Sequence, residues 1–319
     1  MARVFVTRQI PGAALEELKT AHEVEVFEKR VSREDLLKRV RGVEAILSMV
    51  TERIDEEVMA AAGPSLKIIA NYAVGYDNID LAAARKRGVM VTNTPSALGD
   101  AVAEFTVALV LALSRRVVEA DRFMRAGEFR GWDPNLFLGQ DLTGKILGVI
   151  GLGTIGAVVG KRLQAVFDME VVYFCRNRKE AFEAETGGRC VPLEELLQIA
   201  NVVTIHVPLA LETRHMIGAK ELALMKPTAI LINTARGPIV EEKALRVALE
   251  NKRLWGAALD VFEVEDARAA TGLRELPNVI LTPHIASATH QAREEMTRLA
   301  VNNLMKALAG ERPDNLVND

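Results

Sequence analysis

Short runs of apolar, mostly β-branched residues alternate with amphipathic stretches along almost the whole chain. Such runs suit strands that are buried on both faces, and their alternation with helical patterns is typical of parallel sheets joined by helical crossovers. The pattern therefore predicts an α/β protein. The predicted strands cover residues 4–7, 24–27, 45–48, 67–71 and 89–92 in the first part of the chain, and 146–150, 171–174, 202–206, 229–233, 257–260 and 279–282 in the second.

Two longer helical patterns, residues 100–126 and 287–309, do not belong to the regular alternation of strands and crossover helices. A glycine-rich turn near residue 151 places a nucleotide-binding unit well inside the chain. Together these features predict two domains. Residues 1–99 and 287–319 would form a discontinuous substrate-binding domain, and residues 100–286 a Rossmann dinucleotide-binding domain inserted into it. The long helices would bridge the two, with a small-molecule site expected in the cleft between them.

Composition changes this picture little but excludes several functions. A length of 319 residues favours two domains, and a formal net charge of −3 offers no basic field for nucleic acid. The two cysteines cannot form a disulfide framework or a zinc site, so no metal is expected. The first ten residues lack a signal-peptide core, and the most apolar run, residues 101–114, contains Glu104 and is too short to cross a bilayer. We therefore expect a cytoplasmic protein without a membrane partner.

Residues 151–156, Gly-Leu-Gly-Thr-Ile-Gly, match the G-x-G-x-x-G pattern of dinucleotide-binding loops. The pattern alone has little weight, but here it follows a predicted strand and opens a predicted helix, as phosphate binding requires. Gly151 would permit the tight turn, Gly153 the approach of the pyrophosphate, and Gly156 close packing of helix on strand. Backbone N–H groups of the first helical turn, at Thr154 and Ile155, would face the phosphates. The alternative is a glycine turn that serves packing alone.

The end of the next predicted strand bears on the choice between NAD and NADP. An NAD site commonly has a carboxylate there, roughly 20 residues after the first glycine, which binds the ribose hydroxyls. This chain instead has Cys175, followed by Arg176, Asn177, Arg178 and Lys179. Arginine suits bidentate binding of phosphate, and a missing carboxylate removes repulsion against a 2′-phosphate. We therefore predict that Arg176, Asn177 and Arg178 select NADP, with NAD as a second cofactor that the site could accept. A solvated basic loop is the alternative.

Three further segments each follow a predicted strand, at the edge where open α/β sheets bind ligands. A 2-oxo acid that accepts hydride needs a cation for its carboxylate and a proton donor with a pKa near neutrality for its carbonyl oxygen. Arg236 can supply the cation and His284 the proton. A carboxylate on the other imidazole nitrogen would raise the histidine pKa and fix its tautomer. Glu265 suits that role, with Glu263 and Asp266 as close alternatives, and each residue alone is also compatible with a structural role.

Taken together, these motifs resemble those of the D-isomer-specific 2-hydroxyacid dehydrogenase family, and the resemblance runs through nearly the whole chain. The segments that carry Arg236, Glu265 and His284 match those of the family's catalytic arginine, glutamate and histidine. The resemblance therefore favours Glu265 over its neighbours. It also implies a flavodoxin-like outer domain, a homodimer joined along residues 100–126, and closure of the cleft on binding.

The same resemblance implies several ligand contacts. Residues 71–80 are similar to the family's substrate loop, in which the N–H groups of Val74 and Gly75 would hold the substrate carboxylate. Contacts near the nicotinamide are implied for the side chain of Asp260 and for the backbone of Thr234 and Ala235.

Within the family, the glyoxylate and hydroxypyruvate reductases are the most similar members. The similarity lies in segments 132–139, 176–179 and 287–290. It implies NADP-dependent reduction of a small 2-oxo acid, glyoxylate or hydroxypyruvate, to the D-2-hydroxy acid. One departure is Asp266, where the family commonly has proline, and the residues 267–272 that follow are unusual. This difference predicts a looser hold on the loop that carries Glu265.

Two alternatives stay open at the level of sequence. An NAD-dependent dehydrogenase of the phosphoglycerate type would share the motifs, although such enzymes usually carry an acidic residue at the position of Cys175. A nicotinamide-sensing binding protein would share the fold without turnover. Reduction of any simple 2-oxo acid would exclude that second alternative.

Overall fold

The computed structural model describes residues 1–95, 97–266, 268 and 272–318. The chain forms two compact units, Met1–Leu98 with Ala288–Asp319, and Gly99–Ser287. Both are built on parallel sheets, which confirms the predicted α/β class. The assignment of substrate binding to the first unit stays a prediction. Within the described residues, helices long and apolar enough to cross a membrane are absent.

The first unit contains a parallel sheet flanked by short helices. Its strands β1–β5 span Arg3–Val6, Glu23–Val26, Ala45–Ser48, Ile68–Asn71 and Met90–Thr92. Helices α1–α4 span Ala14–Ala21, Arg33–Arg39, Glu56–Ala62 and Leu81–Arg87. The strand order β2-β1-β3-β4-β5 is the flavodoxin-like order, as the sequence resemblance implied. Helices α2, α3 and α4 begin after Ser32, Asp55 and Asp80, whose side chains each accept a hydrogen bond from a backbone N–H of the first turn.

The second unit is a doubly wound sheet. Its strands β6–β12 span Ile146–Ile150, Glu170–Phe174, Arg189–Cys190, Val202–Ile205, Ile230–Asn233, Gly256–Leu259 and Val279–Leu281. Helices α5–α11 span Gly99–Ser114, Val117–Arg125, Thr154–Phe167, Glu180–Thr186, Leu193–Ile199, Ala219–Leu224 and Glu242–Glu250. The strand order β8-β7-β6-β9-β10-β11-β12 confirms the predicted Rossmann fold. Because the winding reverses at β6, ligands are expected beyond the carboxyl ends of β6 and its neighbours.

The helical pattern predicted over residues 100–126 is divided in the structure. Helix α5 ends at Ser114 and α6 begins at Val117, with Arg116 in the left-handed region at φ 54°. The chain returns to this point, where the N–H of Gln140 donates to the carbonyl of Ser114 at 2.9 Å. The guanidinium of Arg116 lies 5.0 Å from the ring centre of Phe137. The prediction of one continuous helix was therefore wrong, because contacts with a later segment terminate it.

The last helix, α12, spans His290–Leu308 and belongs to the first unit. It begins at His290 rather than at residue 287 because the Thr289 side chain caps it, accepting from the N–H of Ala292. The hydroxyl of Tyr72, just after β4, donates to the carbonyl of Arg293 at 2.7 Å. This contact ties the end of the chain to the sheet formed by its beginning.

Candidate active site

Glu265 and His284 lie in the loops that follow the neighbouring strands β11 and β12. Oε1 of Glu265 is 3.2 Å from Nδ1 of His284, and about one third of each side chain is exposed. A carboxylate at Nδ1 fixes the imidazole tautomer and orientation and leaves Nε2 for proton transfer. The structure therefore brings together two of the three residues predicted to be catalytic.

The loop that presents His284 is held by Asp260, a fully buried residue at the end of β11. One carboxylate oxygen of Asp260 accepts from the Thr282 hydroxyl at 2.6 Å and from the Ile285 N–H at 2.9 Å. The other accepts from the N–H of Ala286 at 2.8 Å. His284 itself has φ 55°, and its N–H donates to the carbonyl of Asp260 at 2.9 Å. Asp260 thus positions His284, whereas its predicted contact with the nicotinamide stays a prediction.

Arg236 follows β10 in a turn that Asn233 organises. The Asn233 amide accepts from the N–H of Ala235 at 3.0 Å and donates to the carbonyl of Arg236 at 2.9 Å. The next residue, Gly237, packs so closely on the loop after β11 that a Cβ there would lie 1.8 Å from the carbonyl carbon of Phe262. Glycine at this position therefore lets the loop of Arg236 approach the loop of Glu265.

The two alternatives to Glu265 have other partners. Glu263 lies 3.1 Å from Nε2 of His215 and exchanges hydrogen bonds with Glu242: each backbone N–H donates to the other carboxylate. Asp266 pairs with Arg268 at 2.7 Å. The geometry therefore supports Glu265 as the partner of His284. Of the unusual segment after Asp266, residues 267 and 269–271 lie outside the described residues.

His215 contacts both the loop after β10 and the loop after β11. Its N–H donates to the carbonyl of Pro238 at 2.8 Å, beyond Arg236, while its imidazole contacts Glu263. Burial, reinforced by the charges of Glu263 and Glu265, raises the pKa of Glu242 in this cluster. Sequence carried no signal for His215, because its partners lie on separate strands.

The glycine loop has the close approaches that the motif predicts. Gly151 has φ 96°, and a Cβ there would lie 2.7 Å from the carbonyl carbon of His206. A Cβ on Gly156 would lie 2.2 Å from the carbonyl oxygen of Gly151, so α7 can pack on the loop only with glycine there. In contrast, nothing lies within 4 Å of a Cβ built on Gly153. The space in front of Gly153 suits the approach of a pyrophosphate.

Helix α7 begins beside this space at Thr154, with Gly153 as its N-cap and no side-chain cap. The N–H groups of Thr154, Ile155 and Gly156 have no acceptor within the part of the chain that the structure describes. Exposed donors at a helix N-terminus bind anions favourably. The residues present therefore fit a dinucleotide phosphate.

The turn after β7 contains the cluster of cations that the sequence predicts, but the two arginines differ. Arg178 forms a bidentate ion pair with Glu183 of α8, at 2.6 Å between Nη2 and Oε2. Arg176 is exposed and has no partner among the described residues. Inside the turn, the Cys175 thiol donates to the carbonyl of Asn177 at 2.6 Å. The sequence did not identify Glu183 as the partner of Arg178. Glu183 lies five residues further along the chain, in α8.

In the first unit, two asparagine side chains fix the backbone of the predicted substrate loop after β4. The Asn71 side chain donates to the carbonyl of Gly75, and the Asn93 side chain donates to the carbonyl of Val74, each at 2.8 Å. Neither Val74 nor Gly75 donates its own N–H to an acceptor within the described residues. These two donors are therefore available to a carboxylate.

The remaining predicted residues, Thr234 and Ala235, lie in the turn after β10. The Thr234 hydroxyl is 3.0 Å from that of Thr106 on α5, in the buried interior of the unit. This contact directs the Thr234 side chain away from solvent. The backbone contacts with the nicotinamide that were implied for Thr234 and Ala235 stay a prediction. Over the residues described, no cluster of three or more His, Cys, Asp or Glu side chains could hold a metal ion.

A doubly wound sheet with a glycine loop at its switch point, and a carboxylate–imidazole pair on nearby strand ends, defines a dinucleotide-dependent oxidoreductase. The family model described as D-isomer specific 2-hydroxyacid dehydrogenase, NAD binding domain, matches residues 107–286. The chain belongs to this family. It is therefore an NAD(P)-dependent 2-hydroxyacid dehydrogenase, and its reaction is the reduction of a 2-oxo acid.

Individual relatives match the chain over its whole length. A glyoxylate reductase from Thermococcus litoralis is 49% identical over 99% of this chain and 96% of its own. The solved structure of the TT0316 protein from Thermus thermophilus is 46% identical, with a TM-score of 0.93 over 99% of both chains. An NADPH-dependent glyoxylate/hydroxypyruvate reductase from Sinorhizobium meliloti, solved with NADP and malonate, is 32% identical, with a TM-score of 0.86 over 99% of this chain and 96% of its own.

Proposed function

We propose that this enzyme reduces glyoxylate to glycolate and hydroxypyruvate to D-glycerate, and that it prefers NADPH as its cofactor. The observation that carries the proposal is the Glu265–His284 pair at 3.2 Å, beside the loop that carries Arg236. The small size of the substrates is supported by the glyoxylate reductase from Thermococcus litoralis, which resembles this chain over its full length.

Each residue has a distinct chemical role in the proposed reaction. The cofactor, bound at the glycine loop and the first turn of α7, would supply the hydride that C2 of the 2-oxo acid accepts. His284, protonated and oriented by Glu265, donates a proton from Nε2 to the carbonyl oxygen as negative charge develops there. Arg236 binds the substrate carboxylate through its planar guanidinium. The N–H groups of Val74 and Gly75 act as further carboxylate donors from the substrate loop.

The proposed NADPH preference is supported by the turn after β7. Cys175 occupies the position where NAD-specific proteins commonly have a ribose-binding carboxylate. Arg176 is exposed beside it and Lys179 adds positive charge to the turn, whereas Glu183 balances the charge of Arg178. The similar enzyme from Sinorhizobium meliloti was solved with NADP. NADH remains an expected second cofactor, because nothing in the turn repels its ribose hydroxyls.

A His284→Ala variant tests the catalytic assignment. Loss of the proton donor should lower kcat with glyoxylate and with hydroxypyruvate by about 10²-fold or more. NADPH affinity, measured by fluorescence titration, should change little. His22→Ala, which alters a histidine beside β2 in the other unit, serves as the control. Near-normal turnover by His284→Ala, or formation of L-glycerate from hydroxypyruvate by the wild-type enzyme, would overturn the proposal.

We also propose that the enzyme is a homodimer joined along residues 100–126 and the segment that follows. Large apolar side chains are exposed there: Val117, Met124, Phe129, Trp132 and Leu138. Trp132 is 85% exposed, an unusual position for tryptophan unless a partner covers it. Light scattering should give twice the chain mass of 34.9 kDa, and Trp132→Asp should shift the protein toward monomer. A monomeric wild-type protein at micromolar concentration would contradict this.

A cytoplasmic location is proposed on the basis of thiol chemistry. Cys175 and Cys190 are free, and Cys190 is exposed. Exposed free thiols persist in reducing compartments. Fractionation of native cells, with activity followed in each fraction, tests the location directly.

A further inference from the structure

Helix α8, which follows the turn after β7, places the carboxylate of Glu183 against this turn. We infer that Glu183 is a specificity-determining residue: its carboxylate neutralises Arg178 and thereby limits the preference of the enzyme for NADPH over NADH. The inference rests on the proposed function, because it concerns the turn that would hold the 2′-phosphate.

The ion pair between Arg178 and Glu183 occupies one whole edge of the guanidinium. Nε of Arg178 lies 2.8 and 3.0 Å from the two carboxylate oxygens of Glu183, and Nη2 lies 2.6 Å from one of them. The Glu183 side chain is 13% exposed, against 68% for that of Arg178. Hydrogen bonds from Arg178 and Tyr173 lower the pKa of Glu183, so the carboxylate is ionised at neutral pH. The two charges therefore cancel within the turn.

The shape of the turn depends on Glu183 as a hydrogen-bond acceptor and not on its charge. The buried hydroxyl of Tyr173 donates to Oε1 of Glu183 at 2.7 Å and accepts from the backbone N–H of Lys179 at 2.7 Å. Burial raises the pKa of Tyr173, so this hydroxyl keeps its proton. A glutamine at position 183 can still accept from Tyr173. The substitution Glu183→Gln therefore removes the charge and leaves the scaffold of the turn in place.

Electrostatics predicts the direction in which loss of the Glu183 carboxylate changes the affinity for NADPH. With the pair intact, Arg178 and Glu183 sum to zero, and Glu180 offsets part of the positive charge of Arg176 and Lys179. Removing the carboxylate adds one positive charge beside the expected 2′-phosphate and releases an edge of Arg178 for bidentate binding. One further ion pair at a solvent-exposed site corresponds to about a fivefold gain in affinity. NADH lacks the 2′-phosphate and should not respond.

A double-mutant cycle in the full-length enzyme tests the inference through binding rather than turnover. Kd values for NADPH and NADH are measured by fluorescence titration for the wild type, Glu183→Gln, Arg178→Gln and the double variant. Binding of 2′,5′-ADP by calorimetry reports on the 2′-phosphate alone. The control is Glu185→Gln on the same helix, because Glu185 is 59% exposed and pairs with Lys161 instead. Thermal unfolding checks that each variant is folded.

We expect Glu183→Gln to bind NADPH and 2′,5′-ADP about fivefold more tightly, Arg178→Gln to bind both about fivefold more weakly, and the double variant to match the wild type. Glu185→Gln should behave as the wild type. A loss of NADPH affinity in Glu183→Gln would overturn the inference, because it would mean that Glu183 orients Arg178 toward the phosphate. If Glu183→Gln misfolds, a double variant with wild-type affinity still supports charge cancellation, and a weaker double variant contradicts it.

The outcomes also separate this inference from the proposed function. A wild-type preference for NADPH with no change in Glu183→Gln refutes the role of Glu183 alone. A wild type without preference whose Glu183→Gln variant gains affinity for NADPH refutes the proposed preference and supports the role of Glu183. No preference in either protein refutes both.

Discussion

Substitution of Asp260 by asparagine probes how the position of His284 is maintained. Asp260 is fully buried, and its carboxylate accepts hydrogen bonds from Thr282, Ile285 and Ala286 around the histidine. Asparagine has nearly the same shape, but its amide nitrogen is a donor. Whichever way the amide is turned, at least one N–H or hydroxyl of the His284 loop then faces a donor in the interior of the protein.

The expected loss of stability in Asp260→Asn follows from the hydrogen bonds that the substitution removes. A hydrogen bond to a charged group contributes about 1.5–3 kcal/mol, and a buried donor without an acceptor costs about 1–3 kcal/mol. We therefore expect Asp260→Asn to lower the free energy of unfolding of the second unit by about 3 kcal/mol. In the surviving folded enzyme, a displacement of His284 of the order of 1 Å should lower kcat by about 10²-fold.

Urea unfolding followed by tryptophan fluorescence suits this test, because both tryptophans of the chain, Trp132 and Trp255, belong to the second unit. Steady-state rates with glyoxylate then give kcat. Glu250→Gln is a matched control: its partner Arg246 is half-exposed and one helical turn away, so we expect a loss of no more than about 0.5 kcal/mol. If Asp260→Asn kept both its stability and its kcat within the range of this control, the anchoring role of Asp260 would be refuted.

Three further predictions concern Gly156 and Gly153 of the dinucleotide loop and their neighbour His206. Gly156→Ala should destabilise the protein by about 1–3 kcal/mol, since its Cβ would meet the Gly151 carbonyl oxygen at 2.2 Å. Gly153→Ala should leave stability nearly unchanged and yet weaken NADPH binding, because its Cβ would occupy open space where the phosphates are expected; equal binding by Gly153→Ala and the wild type would contradict this. Burial lowers the pKa of His206 from 6.5 to about 4, so the folded state takes up this proton less readily than the unfolded chain. Stability should therefore fall as the pH drops below 6.5, by about 2 kcal/mol at pH 5. In urea unfolding, His206→Asn should show a smaller loss between pH 7.5 and 5 than the wild type, and an equal loss would argue against this contribution of His206.

The regular part of the fold could be predicted because it is encoded locally. Each strand of both sheets except one, β8, was anticipated within one residue at either end, since buried parallel strands are short apolar runs bounded by polar or turn residues. The strand order of the second unit followed from the glycine loop, which marks the first strand of a dinucleotide fold. Strand β8 is only two exposed residues, Arg189 and Cys190, at the edge of the sheet, and such a segment has no apolar periodicity to detect.

The interactions that the sequence could not predict depend on how individual side chains are placed and on how separate segments pack. Glu183 neutralises Arg178, and Gln140 terminates α5 at Ser114, but neither pairing leaves a periodic trace in the sequence. Asp260 was assigned a cofactor contact by resemblance, whereas its hydrogen bonds to the His284 loop become visible only when β11 and β12 are aligned. The Glu265–His284 pair was predicted from the family resemblance, because the residues by themselves left Glu263 and Asp266 as alternatives to Glu265.

The central claim, that the enzyme is an NADPH-preferring reductase of small 2-oxo acids, is tested most directly by initial rates. NADPH and NADH oxidation by the purified wild-type protein would be followed with glyoxylate and then with hydroxypyruvate, each over a range of cofactor concentrations. We predict rapid oxidation of both cofactors with either acid, and a kcat/KM for NADPH clearly above that for NADH. Oxidation of NADH alone would contradict the cofactor preference, and no turnover of either acid would contradict the proposed substrates.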